Sequence, residues 1–225
     1  ISSMGGHSEW LIAHELGHQW WGDLVTCTSF HHIWLNEGFA RFSEAIWDEA
    51  SQGFEAYKSY WQSHSYFGPG TIYVEEPNTA AQIFNGNLTY NKAGWVVHML
   101  RGVMGDSLFF ESLRSYGSND SLAYSDATTE DFKNVCEHIS GIDLTNFFEQ
   151  WIYNEYYPQY GLLWDLNESG ELIVTIHQLQ NWQFFDMPIE IQVILISGAL
   201  SFKVNNQYQI QPVSYTHLRA HETCT

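Results

Sequence analysis

Between Ser8 and Trp21 apolar residues fall on nearly every side of a helix: Trp10, Leu11, Ile12, Ala13, Leu16, Trp20 and Trp21 leave few polar positions. That pattern predicts a buried helix, stopped at Gly22. A second helix is predicted from about Asn36, a good capping residue, to about Glu49. Residues 53–67 keep helical character with aromatic faces until Gly68-Pro69-Gly70 breaks the pattern. Residues 71–89 read as a loop-rich connection containing Pro77, Asn85-Gly86-Asn87 and one short helix. Further helices are predicted near 90–103, 107–116, 128–139 and 143–153. Thr128 offers a cap to the third of these, with Asp131 placed to reciprocate. After Pro158 the period changes. Leu162 to Leu166, Leu172 to His177, Ile189 to Ile196 and Leu200 to Val204 are short apolar or alternating runs, the pattern of strands. Asn167-Glu168-Ser169-Gly170 is a plausible hairpin connection.

The chain has 225 residues, 44% of them hydrophobic and 16% aromatic, which suffices for a packed core and argues against disorder. Lys and Arg number 8 against 26 Asp and Glu, a formal charge of −18 that repels phosphate backbones, so no nucleic-acid partner is expected. No apolar stretch is long enough to span a bilayer. Cys27 and Cys136 are too far apart in sequence to suggest a disulfide framework. Val213 to Thr223 can be back-translated into what looks like a sequencing adaptor, so residues 213–225 are expected to be a non-native tail. His217, His221 and Cys224 are then not metal ligands.

The chemistry is concentrated early. His14, Glu15 and His18 form an H-E-x-x-H run, and Glu37 follows after eighteen intervening residues. On a helix, positions four apart share a face, so His14 and His18 can aim ring nitrogens at one point. Two histidines and a carboxylate from a neighbouring helix make the three-ligand set of a catalytic zinc, with a fourth position left to water. Glu15 lies about 100° round the helix from His14 and is therefore better placed to act as a base on that water than as a ligand. One Zn2+ per chain is expected. His31 and His32 lie near the metal loop but are expected to be structural, as is Lys92; Asp23 reads as an outer-shell group or a plain loop aspartate.

His14-Glu15-Leu16-Gly17-His18-Gln19-Trp20-Trp21-Gly22, Leu24-Val25-Thr26 and Trp34-Leu35-Asn36-Glu37-Gly38-Phe39-Ala40 resemble zinc aminopeptidases of the aminopeptidase N family, within the gluzincin clan. Thermolysin-like endopeptidases are similar but use a slightly longer gap. Tyr90-Asn91-Lys92-Ala93-Gly94 resembles the family's Tyr-x-Lys-Gly-Ala segment with the last two residues exchanged. Phe147-Phe148-Glu149-Gln150-Trp151 with Tyr157-Pro158 resembles the end of the family's catalytic domain. The resemblance implies an α+β chain: the mostly helical second half of a thermolysin-like catalytic domain over 1–157, then part of a small antiparallel β-sandwich over 158–212. It implies that Tyr90 donates to the oxyanion, and that Glu44 is the carboxylate behind a ligand histidine. It implies peptide substrates, attacked by zinc-bound water to release amino-terminal residues.

The residues themselves establish only metal-assisted peptide hydrolysis. The family holds the substrate's free amine partly through an upstream Gly-x-Met-Glu-Asn segment, and no Met-Glu-Asn occurs here. The chain is accordingly expected to be a bacterial fragment lacking its amino-terminal half. Its compartment and oligomeric state are not legible, an extracytoplasmic or secreted location being the preferred expectation. A thermolysin-type endopeptidase and an inactive binding module on the same scaffold stay open as alternatives.

Overall fold

In the computed structural model, which describes residues 8–168, 171–195, 198–206 and 213–219, helix α1 spans Glu9–Gly17. Ser8 caps it by accepting from the Leu11 amide. The helix is more open than its apolar pattern predicts. Only His14 and Gly17 are buried along it, while Leu11, Ile12 and Leu16 are exposed. The pattern shows which residues could be enclosed, but α1 is packed along one flank, against α2 (Trp34–Gln52). That flank is close: a Cβ on Gly17 would lie 2.7 Å from Ser43 Oγ. Two indoles fasten the pair, Trp10 donating to Asp48 at 2.8 Å and Trp47 to Glu9 at 3.1 Å.

Helix α2 begins two residues before the predicted cap, Asn36. A single 3-10 turn, Phe30–His32, feeds it directly, and Ile33 precedes it with helical backbone and no side-chain cap. Asn36 therefore lies inside the helix. The helix ends at Gly53, whose φ of 92° favours glycine. It is the central element, burying Trp34, Leu35, Phe39, Ala40, Phe42 and Ala45. Helix α3 (Phe54–Ser63) packs on it, followed by the short α4 (Ala80–Ile83). A π-helical turn, Gly86–Lys92, then runs into α5 (Ala93–Met104), so helical backbone starts four residues before the predicted position 90. The Asn85 carboxamide nucleates that turn by accepting from the Asn87 and Leu88 amides.

Helices α2 and α5 meet at a notch. A Cβ on Gly38 would sit 2.8 Å from Ala93 Cβ and 3.2 Å from its carbonyl carbon. Helix propensity alone favours Ala over Gly by about 1 kcal/mol. Overpacking costs typically about 1–3 kcal/mol. Gly38→Ala is therefore expected to lose on the order of 1 kcal/mol net in chemical denaturation; a gain in stability would show that the notch has slack.

Helix α6 spans Asp106–Gly117, and α7 spans Thr129–Ser140 with the reciprocal Thr128–Asp131 cap in place. Helix α8 (Thr145–Phe148) continues into a second π turn, Glu149–Tyr153. Two parallel strands were not predicted: β1 (Val25–Cys27) beside β2 (Ser125–Ala127). Three residues are too few for an alternating pattern to register. Trp34, Phe39, Tyr116, Phe132 and Phe148 form the aromatic core beneath.

The chain divides into two compact units, Ile1–Tyr156 and Tyr157–Thr225. The second unit, taken alone, is antiparallel: β3 (Tyr160–Leu166), β4 (Glu171–Gln178) and β7 (Val213–Arg219) form one sheet, β5 (Met187–Leu195) and β6 (Gly198–Asn206) another. Within it the buried Gln180 accepts from the Gln159 amide and donates to Gln183 and Gln178. Residues 213–219, where the tail was expected to begin, pair with β4. Ser169 and Gly170 of the expected hairpin turn, and His221 and Cys224, lie outside the described residues. No described helix is long and apolar enough to cross a membrane.

Candidate metal centre

His14 lies on α1 and His18 is its C-cap residue, so the two rings project from adjacent turns. They meet edge to face with centroids 4.8 Å apart, and their Nε2 atoms are 3.2 Å apart. Glu37 enters from the first turn of α2 and places Oε2 3.3 Å from His14 Nε2 and 3.4 Å from His18 Nε2. The packing of α1 on α2, through Gly17 and the two indole bonds, brings the three side chains together.

The far side of each ring fixes its chemistry. His14 Nδ1 lies 2.8 Å from Glu44 Oε1, and His18 Nδ1 lies 3.0 Å from the Trp21 carbonyl. Both partners are acceptors, so both Nδ1 atoms carry the proton and both Nε2 lone pairs face inward. With both rings neutral, two nitrogen lone pairs and a carboxylate oxygen thus converge with no donor among them. One divalent cation satisfies all three, and the nitrogen and oxygen set suits zinc. Among the described residues, His14, His18 and Glu37 are the group whose ligand atoms all lie within 4.8 Å of one another.

The electrostatics agree. Burial works to lower the His14 pKa, but hydrogen bonds to Glu37 and Glu44 and their charges outweigh it and push it up to about 9. His18 is raised, first by its hydrogen bond to Glu37 against burial. Burial works to raise Glu37, but the two imidazoles hold it down at about 2. Protons on the imidazoles and a divalent cation are alternative ways to neutralise the same triangle, so uptake of one releases the other.

Behind His14, Glu44 is buried and its carboxylate is filled. Beside the His14 contact it accepts from Tyr60 Oη at 2.8 Å and from Arg41 Nη1 at 3.1 and 3.2 Å. Tyr90 sits in the π turn before α5, its ring stacked at 20° and 6.0 Å on that of His14. Burial, then the nearby Glu37 carboxylate, push the phenol up to about 12; Arg41 opposes the push and Glu15 adds to it. Glu15 is exposed on α1 next to His14.

The other side chains singled out in the sequence have partners of their own. Asp23 is exposed and accepts from Gln19, while the Trp21 carbonyl does the work of orienting His18. Lys92 is buried and ties the π turn to the Gly70 and Asn154 carbonyls, at 2.9 and 3.3 Å. Burial pushes its ammonium down to about 8. His31 and His32 are engaged by the Val74 carbonyl and the Thr129 hydroxyl. Cys27 adds no atom to the metal group, and burial pushes its thiol up. Arg41, Tyr60 and the Trp21 carbonyl were not anticipated. Arg41 had a readable signal, since it lies one turn before Glu44 on the same helix; Tyr60 and Trp21 had none.

Residues 5–151 match the peptidase family M1 domain. Aminopeptidase M1-D of Oryza sativa subsp. japonica is 34% identical over 161 residues, 67% of this chain and 18% of the relative. The crystal structure of an M1 zinc metallopeptidase from Deinococcus radiodurans is 25% identical with a TM-score of 0.59, over 68% of this chain and 34% of that one. Legionella pneumophila aminopeptidase A, crystallised with aspartic acid, shares the fold at a TM-score of 0.78 and 19% identity, over 92% of this chain and 24% of its own. The chain therefore spans 18% of the length of that rice relative.

Proposed function

The chain belongs to peptidase family M1, and from that premise we propose that it carries the zinc-binding and proton-transfer half of an aminopeptidase active site. The convergence of His14 Nε2, His18 Nε2 and Glu37 Oε2 on one point, with both Nδ1 protons committed elsewhere, is what supports the reading most. His14, His18 and Glu37 would hold the zinc. When bound, zinc supplies a Lewis acid and acidifies the water it holds.

The chain's own residues do the rest. Glu15 takes a proton from the attacking water and delivers it to the departing amine, so that the C–N bond breaks to a neutral amine and a carboxylic acid. Tyr90 keeps its phenolic proton and donates it in a hydrogen bond to the substrate carbonyl oxygen as that atom gains charge. Glu44 and the Trp21 carbonyl hold the two imidazoles in the tautomer that presents Nε2. Peptides are the substrates. The names of the relatives favour attack at the amino terminus over attack within the chain.

A substrate pair tests the reading. The zinc-loaded enzyme bearing this segment is expected to release dye from unblocked aminoacyl anilides and to leave amino-blocked peptides intact. Cleavage of the blocked peptides alone would indicate an endopeptidase. Cleavage of neither, with stoichiometric zinc bound, would indicate a binding module.

A further inference from the structure

We propose that Arg41 is a positioning residue for the metal centre, fixing Glu44 and through it the Nδ1–H form of His14, while its other face carries the Tyr90 ring. The proposal rests on the zinc reading above. Arg41 Nη1 donates to both oxygens of Glu44, at 3.2 and 3.1 Å, and lies 3.4 Å from Tyr60 Oη. Glu44 is almost fully enclosed, and a carboxylate so buried needs a countercharge. The Arg41 guanidinium supplies that charge and leaves Glu44 Oε1 aimed at His14.

Arg41 also reaches the other half of the site. Its Cζ lies 5.8 Å from the Tyr90 ring centroid, within range of a cation–π contact. The Tyr90 ring is in turn stacked on His14. One guanidinium thus bears on a would-be ligand through Glu44 and on the oxyanion donor directly. The arrangement carries a cost, for Arg41 Nε is buried with no hydrogen-bond partner. A residue serving only to fill space at α2 would not need a charged group with an orphaned donor.

Gly94 is what allows Arg41 to lie there. A Cβ at position 94 would stand 2.8 Å from Arg41 Cγ and 3.2 Å from its Cβ. The arginine stem therefore rests directly on the backbone of α5, and any side chain at 94 displaces it. Trp61 Cη2, at 3.1 Å, also lines this space and must be separated from the effect.

The test is zinc affinity of the full chain by chelator competition, with nitrogen NMR of labelled histidines reporting the His14 tautomer. Arg41→Met keeps the stem and removes the charge and fork. It is expected to weaken zinc by about 10–100-fold, the range typical of a lost partner behind a ligand, and to shift the His14 nitrogen signals. Arg41→Lys is expected to recover part of the affinity. Gly94→Ala is expected to weaken zinc beside Arg41 and to have no further effect in Arg41→Met, since the two changes act through one side chain. An equal Gly94→Ala effect in both backgrounds would assign it to Trp61 and overturn that part of the proposal. A folded Arg41→Met with zinc affinity within twofold and unmoved histidine signals overturns the whole. If that variant does not fold, Arg41→Lys decides: parental affinity there overturns the proposal. A parent chain that does not bind zinc at all would instead bring down the functional reading.

Discussion

Glu15→Gln is expected to retain one zinc per chain and to lower kcat by about 10²–10⁴-fold, the usual contribution of a positioned general base. The amide matches the carboxylate in size and can still hydrogen-bond to water, but it cannot accept a proton at neutral pH. Retention of zinc follows from geometry. Glu15 is next to His14 and so turned about 100° from it around the helix axis. The ligand atoms close on one another without it, since His14, His18 and Glu37 form the compact group. Glu15 is also exposed, so the amide leaves no buried charge uncompensated and the fold should be untouched. The check is metal content and kcat measured on the same zinc-loaded enzyme. Turnover within a few-fold of the parent would remove Glu15 as the base. Loss of zinc together with turnover would move it into the ligand set.

The contrast between Glu15 and its neighbours shows which parts of the site could be read from sequence. His14 and His18 were legible because a spacing of four on a helix is itself a geometric statement. Glu37 was legible only by its distance along the chain, since nothing local says that α2 will return to α1. Glu44, the carboxylate behind His14, was named through the family resemblance, and it lies two turns beyond Glu37 on the same face. The contact of Arg41 with Gly94 was not legible, because it depends on how closely α5 approaches α2. Once that approach is known, the order Ala93-Gly94 has a physical reason. Ala93 Cβ fills the notch left by Gly38, and the bare backbone at Gly94 receives the Arg41 stem. The exchanged order would place a methyl group against Arg41 and none against Gly38. The exposure of α1 was illegible for a related reason. Periodicity ranks residues by their fitness for burial but does not say what lies against them, and nothing among the described residues covers Leu11, Ile12 and Leu16. The starts of α2, α6 and α7 were read closely, whereas α1 ends at Gly17 and not at Gly22, α3 ends at Ser63 and not near 67, and the π turn ahead of α5 was not read, because such turns share the residue preferences of the helix they join.

Tyr90→Phe is the second large effect: kcat is expected to fall by about 10²–10³-fold, the range for losing one oxyanion donor, with zinc affinity unchanged. Phe preserves the stack on His14, where the two rings lie 6.0 Å apart, so the ligand should keep its place. It removes only the hydroxyl. That hydroxyl can act as a donor because it holds its proton throughout the neutral and mildly alkaline range, burial and the nearby Glu37 carboxylate having pushed its pKa up to about 12. The same position tells against Tyr90 as a base, for a phenolate there would face Glu37 and Glu15 together. The charge this hydroxyl would meet develops only as the substrate carbonyl is attacked, so the loss should fall on kcat more than on KM. Equal losses in both constants, or a change in kcat within twofold, would return Tyr90 to the role of a ring packed against His14.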